Sequence, residues 1–169
     1  MSFGSIIMYI LAMILIAVTL FNLYATATSK KRRNFSKAKY GEIMGPVENA
    51  LLKEMKKRKL NFDKVKRLMT YDDEALILGH DTEKKVFAIA MAGQIVIEQD
   101  SILNDVKKVY ETSGKKVLSS KVILDIGEDI YTYDIATKPF NPKGIIGKVV
   151  YDTTEDFYNF MDGIKQAKV

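Results

Sequence analysis

The sequence predicts an α+β, β-rich protein. Its expected parts are an N-terminal transmembrane helix, an amphipathic linker helix, and a small antiparallel seven-strand barrel or sandwich closed by a C-terminal helix. Three observations carry that expectation. Residues 1–29 contain no charged side chain. From Lys64 onward apolar residues recur at period two in short runs separated by turn residues, the signature of half-buried antiparallel strands. The last stretch returns to helical spacing. Charge follows the same zones, with 14 Lys and Arg against 4 Asp and Glu over residues 30–67, and 12 against 17 over 68–169. In a chain of 169 residues with formal net charge +5, that asymmetry assigns different tasks to different segments. The expected division is 1–28 for the spanning helix, 29–62 for a basic juxtamembrane segment with its amphipathic helix, and 63–169 for the β domain.

The first element is Ile6–Ala25, IIMYILAMILIAVTLFNLYA. At about 1.5 Å per residue, twenty uncharged residues span about 30 Å, the thickness of a bilayer's hydrocarbon core. Thr19 can bond back to its own helix, Asn22 lies near the end, and Tyr9 and Tyr24 sit toward the two interfaces. A cleaved secretory signal is the alternative, since Ala25-Thr26-Ala27 is A-x-A-like. The segment before the apolar run has no basic side chain, however, and KKRR directly after it makes a poor translocation substrate. Lys30, Lys31, Arg32, Arg33, Lys37 and Lys39 follow the helix, and nothing basic but the α-amino group precedes it. The positive-inside rule then leaves the N-terminus outside and the C-terminal domain cytoplasmic, on the cell (inner or plasma) membrane.

The second element is the linker helix, expected to start at Gly45-Pro46, because proline suits the first helical position. Val47, Ala50, Leu51 and Met55 recur at helical spacing, Glu54 and Arg58 are placed for an i,i+4 pair, and cations close the last turn. Lys56, Lys57, Arg58 and Lys59, with Lys64, Lys66 and Arg67 on the following strand, are candidate contacts for anionic headgroups or a partner; a solvated helix end and strand face account for them equally. Nucleic acid is not an expected partner, because the cations lack interleaved aromatics or a recognition motif.

The third is the β domain. KVKRLMTYD, EALILGHD, KKVFAIAMA, QIVIEQ, LNDVKKVYET, KVILDIG and DIYTYDIAT read as seven successive strands, punctuated by Asp72-Asp73, Asp81-Thr82-Glu83, Ala92-Gly93, Ser113-Gly114, Gly127-Glu128-Asp129 and Asn141–Gly144. Val86–Met91 is apolar on both faces, and one of them is expected to meet the final helix. A final helix is expected from Thr153 or Thr154, with Phe157, Phe160, Met161 and Ile164 as its inward stripe.

The run ALILGHDTEKKVFAIAMAGQIVIEQDSILNDVKKVYETSGK, with the terminal helix TTEDFYNFMDGIKQ, resembles the small bacterial pleckstrin-homology-like (PH-like) domains over residues 64–169. The resemblance implies a barrel plugged by its last helix and a lipid-binding, peptide-binding or purely structural role. Phosphoinositide-binding members use a basic loop between the first two strands. The matching Tyr71-Asp72-Asp73-Glu74 is acidic and wrong for phosphate.

No phosphate-cradling glycine loop, dinucleotide fingerprint or nucleophile elbow is present, and the absence of cysteine excludes thiolate chemistry and disulfides. No enzyme activity, cofactor or metal is expected. His80 is expected as a surface turn residue. It cannot pair with its neighbour Asp81, since adjacent strand residues point to opposite faces. The expected function is a single-pass membrane protein presenting a cytoplasmic PH-like domain as an adaptor or scaffold subunit of a membrane complex, held by protein–protein interaction with unidentified partners. Two rivals stand beside it: a subunit of a secretion or conjugation assembly with an extracytoplasmic domain, and an anionic-lipid sensor.

Overall fold

The computed structural model describes the backbone of residues 3–168 apart from 92, and the side chains of 14–24, 38–91 and 93–168. Helix α1 (Phe3–Arg58) is followed by β1 (Lys64–Met69), β2 (Ala75–Asp81), β3 (Val86–Met91) and β4 (Gln94–Gln99). A 3-10 turn (Asp100–Ile102) leads into β5 (Leu103–Ser113), β6 (Lys116–Ile126), β7 (Asp129–Ala136) and helix α2 (Ile145–Gln166). The chain forms two compact units, Met1–Glu42 and Ile43–Val169.

The first unit is helical throughout its described backbone, and its side chains from Ile14 to Tyr24 are all exposed. Thr19 donates from its hydroxyl to the Leu15 carbonyl at 2.8 Å, so its polar group is satisfied within its own helix. The expected start of a separate helix at Pro46 is corrected: α1 runs through Pro46 without a break. Proline forfeits one backbone hydrogen bond there. Packing within the second unit outweighs that loss, because Met44 and Leu51 are buried and Ile43, Val47 and Met55 half-buried beside the proline.

The second unit holds all seven strands at the expected places. They form two antiparallel sheets, one of order β1-β2-β3-β4 and one of order β5-β6-β7. The first sheet is covered on both faces, which is why every residue of β2 is buried and alternation fades there. Leu76, Leu78, Phe87 and Ile89 point into the main core with Val122, Leu124, Ile135 and the helix α2 residues Phe157, Met161 and Ile164. Ala75, Ile77, Ala88 and Ala90 point the other way, onto Met44, Leu51 and Phe62. So the face of β3 bearing Phe87 and Ile89 looks into the core to which the last helix contributes, and the face bearing its small alanines takes the C-terminal turns of α1.

Two elements are longer than expected. Strand β6 begins at Lys116, and α2 begins at Ile145 rather than at Thr153. Thr153 and Thr154 are buried mid-helix residues, not caps. The Thr154 hydroxyl donates to the Val150 carbonyl at 2.8 Å and lies 2.7 Å from the Ser120 hydroxyl, joining α2 to β6. The extra turns pack Gly147 and Val150 inward, and Gly147 is there because nothing larger fits. A Cβ at that position would sit 2.2 Å from the Asn141 carbonyl oxygen and 2.7 Å from Cα of Pro142.

A sign reversal within one helix follows. Helix propensity favours alanine over glycine by about 1 kcal/mol, and a Cβ added at Gly163 of the same helix would meet nothing within 4 Å. Gly163→Ala is therefore expected to raise the urea midpoint of the domain by the equivalent of about 0.5–1 kcal/mol. Gly147→Ala is expected to lower it by about 1–3 kcal/mol, because the 141–142 backbone must move. Equilibrium urea unfolding of the full chain in mild detergent, followed by tyrosine fluorescence, reads both signs.

Acid stability is set partly between the strands and α2. Lys165 donates to Asp105 Oδ1 at 2.7 Å, joining the last helix to β5. Lys165, Lys107 and the Val106 amide hold the Asp105 carboxyl down at about 2. Asp63, Asp72, Asp81 and Glu111 are also held below the ordinary carboxylate range by hydrogen bonds. A depressed folded-state value means the stabilisation is complete above the unfolded value near 3.8 and is lost as pH falls through about 2. Both partners are about a third exposed, so solvent screens the pair and only part of the shift reaches stability. Urea midpoints are expected to fall between about pH 4 and about pH 2, and Asp105→Asn to flatten that fall.

Candidate functional site

The cations singled out from sequence divide into three sets. Lys30, Lys31, Arg32, Arg33 and Lys37 have side chains outside the described residues; Lys39 is exposed. The second set is committed to holding the fold. Lys66 pairs with Asp156 of α2 at 2.6 Å, and Arg67 pairs with Glu48 of α1, so β1 is strapped to both helices. Arg58 lies 3.8 Å from Glu54, the pair expected at i,i+4, and also donates at 3.2 Å to the Ile97 carbonyl on the edge of β4. Lys59, just past the end of α1 with φ of 55°, offers its backbone carbonyl to the Lys84 ammonium while its own side chain stays exposed like those of the third set. The third set is free for outside contact: Lys56 and Lys64 are exposed, and Lys57 is exposed with only a 3.8 Å approach to Glu54.

The turn between β1 and β2 lies in a cleft of about 370 Å³ lined by Asp72, Glu74, Gln94, Thr132, Asp134 and Thr137 among others. Lys138 at 2.7 Å, then the Thr137 hydroxyl and amide, lower the Asp72 carboxyl and tie the turn to the end of β7. With three carboxylates on its wall, this cleft repels phosphate. A second cleft of about 400 Å³ is apolar, lined by Ile43, Pro46, Val47, Ala50, Met91, Gly93 and Ile95 between α1 and the β3–β4 hairpin.

His80 is not the surface turn residue expected. It lies in β2 at 5% exposure, in phase with Leu76 and Leu78, and its Nε2 is 2.9 Å from Oδ2 of Asp100. The neighbouring Asp81 faces the other way and accepts from the amides of Asn61 and Lys84, both at 2.9 Å. His80 Nδ1 and Asp100 Oδ1 are buried without a hydrogen-bond partner. The pair clasps β2 to the turn that joins the two sheets, with no ring nitrogen open to a substrate. Sequence reasoning misses the pairing, since Asp100 lies twenty residues away. The parity of β2 does mark His80 as inward. Among the described residues no group of three or more His, Asp and Glu is placed to hold a metal ion.

Within 14–24 the exposed side chains include Ile14, Leu15, Ile16, Val18, Leu20, Phe21, Leu23 and Tyr24, between 52% and 71% accessible. They cover the whole circumference of α1 there. Among the described residues no helix is long and apolar enough to cross a membrane. Of the stretch Ile6–Ala25, only 14–24 has described side chains.

Comparison of the chain with protein-family models, with curated proteins and with solved structures yields no match.

Proposed function

We propose that this chain is a non-catalytic, single-pass membrane protein, N-terminus outside, that holds a PH-like domain on the cytoplasmic face as an adaptor or scaffold subunit of a membrane complex. The observation that carries the reading is the apolar girdle of residues 14–24. A helix exposing eight large apolar side chains on every side has no favourable state in water, while lipid solvates all of them. The sequence extends the uncharged stretch over Ile6–Ala25 and follows it with KKRR, a length and charge order that suit a bilayer crossed with the N-terminus outside. The four-plus-three strand order closed by a C-terminal helix supports the PH-like likeness of residues 64–169. The edges of β4 and β7, beyond the Ile97 carbonyl taken by Arg58 and the Ile135 carbonyl taken by the Tyr71 amide, suit capture of an extended partner segment by strand addition.

Alkaline carbonate extraction of membranes from cells expressing the full chain tests the anchor. Retention in the pellet is expected, and release to the supernatant contradicts the spanning helix.

A further inference from the structure

The fold brings together two loops that the sequence keeps apart. The β5–β6 turn and the loop between β7 and α2 enclose a cleft of about 540 Å³ lined by Thr112, Lys115, Lys116, Lys143 and Tyr151 among others. Its wall carries three lysines and no carboxylate. Lys115, Lys116 and Lys143 are exposed, and none makes an ion pair among the described residues. The Tyr151 ring is held from behind by Tyr110 at 4.7 Å and Phe140 at 6.1 Å between centroids, so this wall of the cleft is rigid.

Beside the cleft, α2 opens with an apolar crest. Ile145 is 88% exposed, Ile146 52% and Val149 55%. At about 100° per residue, with Gly147 and Val150 inward, Ile145 lies farthest out, Lys148 and Val149 stand about 50° to either side of the outward line, and Ile146 is on the flank. Lys148, also exposed and unpaired among the described residues, stands between that crest and Tyr151 on the cleft side. The first turn of α2 carries no acidic residue, and the exposed Asp152, two turns beyond Ile145 on the same outward line, bounds the patch.

We infer that this face of the domain docks on an anionic bilayer, its lysines taking lipid phosphates and carboxylates while Ile145, Ile146 and Val149 enter the acyl boundary. An acidic protein would satisfy the lysines, but would leave β-branched side chains at the tip of a helix with no apolar layer to enter. A bilayer supplies both chemistries at the right depth order, charge outside and hydrocarbon beneath. The inference rests on the membrane-anchored reading only in that a bilayer is at hand. It places the lipid contact on the β5–β6 and β7–α2 loops, away from Lys66 and Arg67, which are spent on Asp156 and Glu48.

The cysteine-free chain makes the test direct. Full-length protein carrying Ile145→Cys, labelled with an environment-sensitive fluorophore, is reconstituted into vesicles of phosphatidylcholine alone or with phosphatidylserine. A parallel label at Ile130→Cys, 72% exposed on β7, serves as the reference. The expected result is a blue shift and quenching by nitroxide lipid for the 145 label in serine-lipid vesicles only, with the 130 label unchanged. Neutralising Lys115, Lys116 and Lys143 to Gln lowers the docked-to-undocked ratio about fivefold each, roughly a hundredfold together. A 145 label that stays water-like, a shift indifferent to lipid charge and to the three substitutions, or shielding produced only by soluble poly-glutamate overturns the inference, the last in favour of a protein partner. An alkaline wash of the same vesicles reports the anchor separately: a chain that washes off yet docks to added serine-lipid vesicles sinks the anchor and leaves this face standing.

Discussion

Phe157→Ala is expected to cost the domain about 3–5 kcal/mol and to lower its urea midpoint steeply. Phe157 is 0% exposed on α2, and its ring meets Tyr133 edge-on at 5.4 Å between centroids. It is among the largest of the fully buried side chains and sits where helix α2 closes the main core between the two sheets. Removing a buried aromatic forfeits its transfer free energy and leaves a cavity that the close-packed core around it fills only in part. The edge-on pair with Tyr133 adds about 0.5–1.5 kcal/mol. Against a total of about 5–15 kcal/mol for a domain, that loss removes much of the margin. Phe160→Ala, one turn of the helix away at a half-buried position, is expected to cost less than half as much. Urea midpoints and resistance to trypsin of the two variants decide the matter; equal losses would mean that α2 is not docked through Phe157.

Leu15→Arg with Ile16→Arg is expected to release the protein from the membrane. The two positions lie at the middle of Ile6–Ala25, where each arginine raises the free energy of insertion by about 2.5–3.5 kcal/mol. Two adjacent arginines project to different sides of the helix, so one helical partner cannot neutralise both. Together they oppose insertion by about four orders of magnitude in the partition ratio, more than replacing a few leucines elsewhere would restore. The measured quantity is the fraction pelleted after alkaline carbonate. Ser or Ala at the same positions is expected to leave that fraction unchanged, which separates charge from shape. Retention of the double arginine variant would mean that the apolar girdle is buried against protein instead.

Much of this architecture is legible in the residues, and the parts that are not have definite causes. The seven strands stand out because their period-two runs are bounded by residues that tolerate turns, and Gly93, Gly114 and Gly127 do adopt positive φ at three of those turns. The two-faced burial of Val86–Met91 is readable from its lack of polar positions. The first two turns of α2 are not: Ile145, Ile146, Val149 and Val150 are β-branched, which lowers their local helix preference, while Gly147 and Val150 are packed inward. Pro46 misleads for the same reason, since a helix start is its local preference and packing of Met44 and Leu51 overrides it. The place of His80 is readable from its parity with Leu76 and Leu78. Its pairing with Asp100, and the convergence of Lys115 and Lys116 with Lys143, depend on which loops share an end of the β domain, and no local signal carries that.

Residues 43–169 are proposed to work on the cytoplasmic side of a membrane that the N-terminal part of α1 crosses. Thiol labelling tests that topology most directly, since the chain has no cysteine of its own. A single cysteine at Ile130, 72% exposed on the domain surface, is offered to a membrane-impermeant maleimide in intact cells and again after permeabilisation. The predicted result is labelling only after permeabilisation. Labelling in intact cells would contradict the topology and place the domain on the outer side, as in an extracytoplasmic assembly subunit.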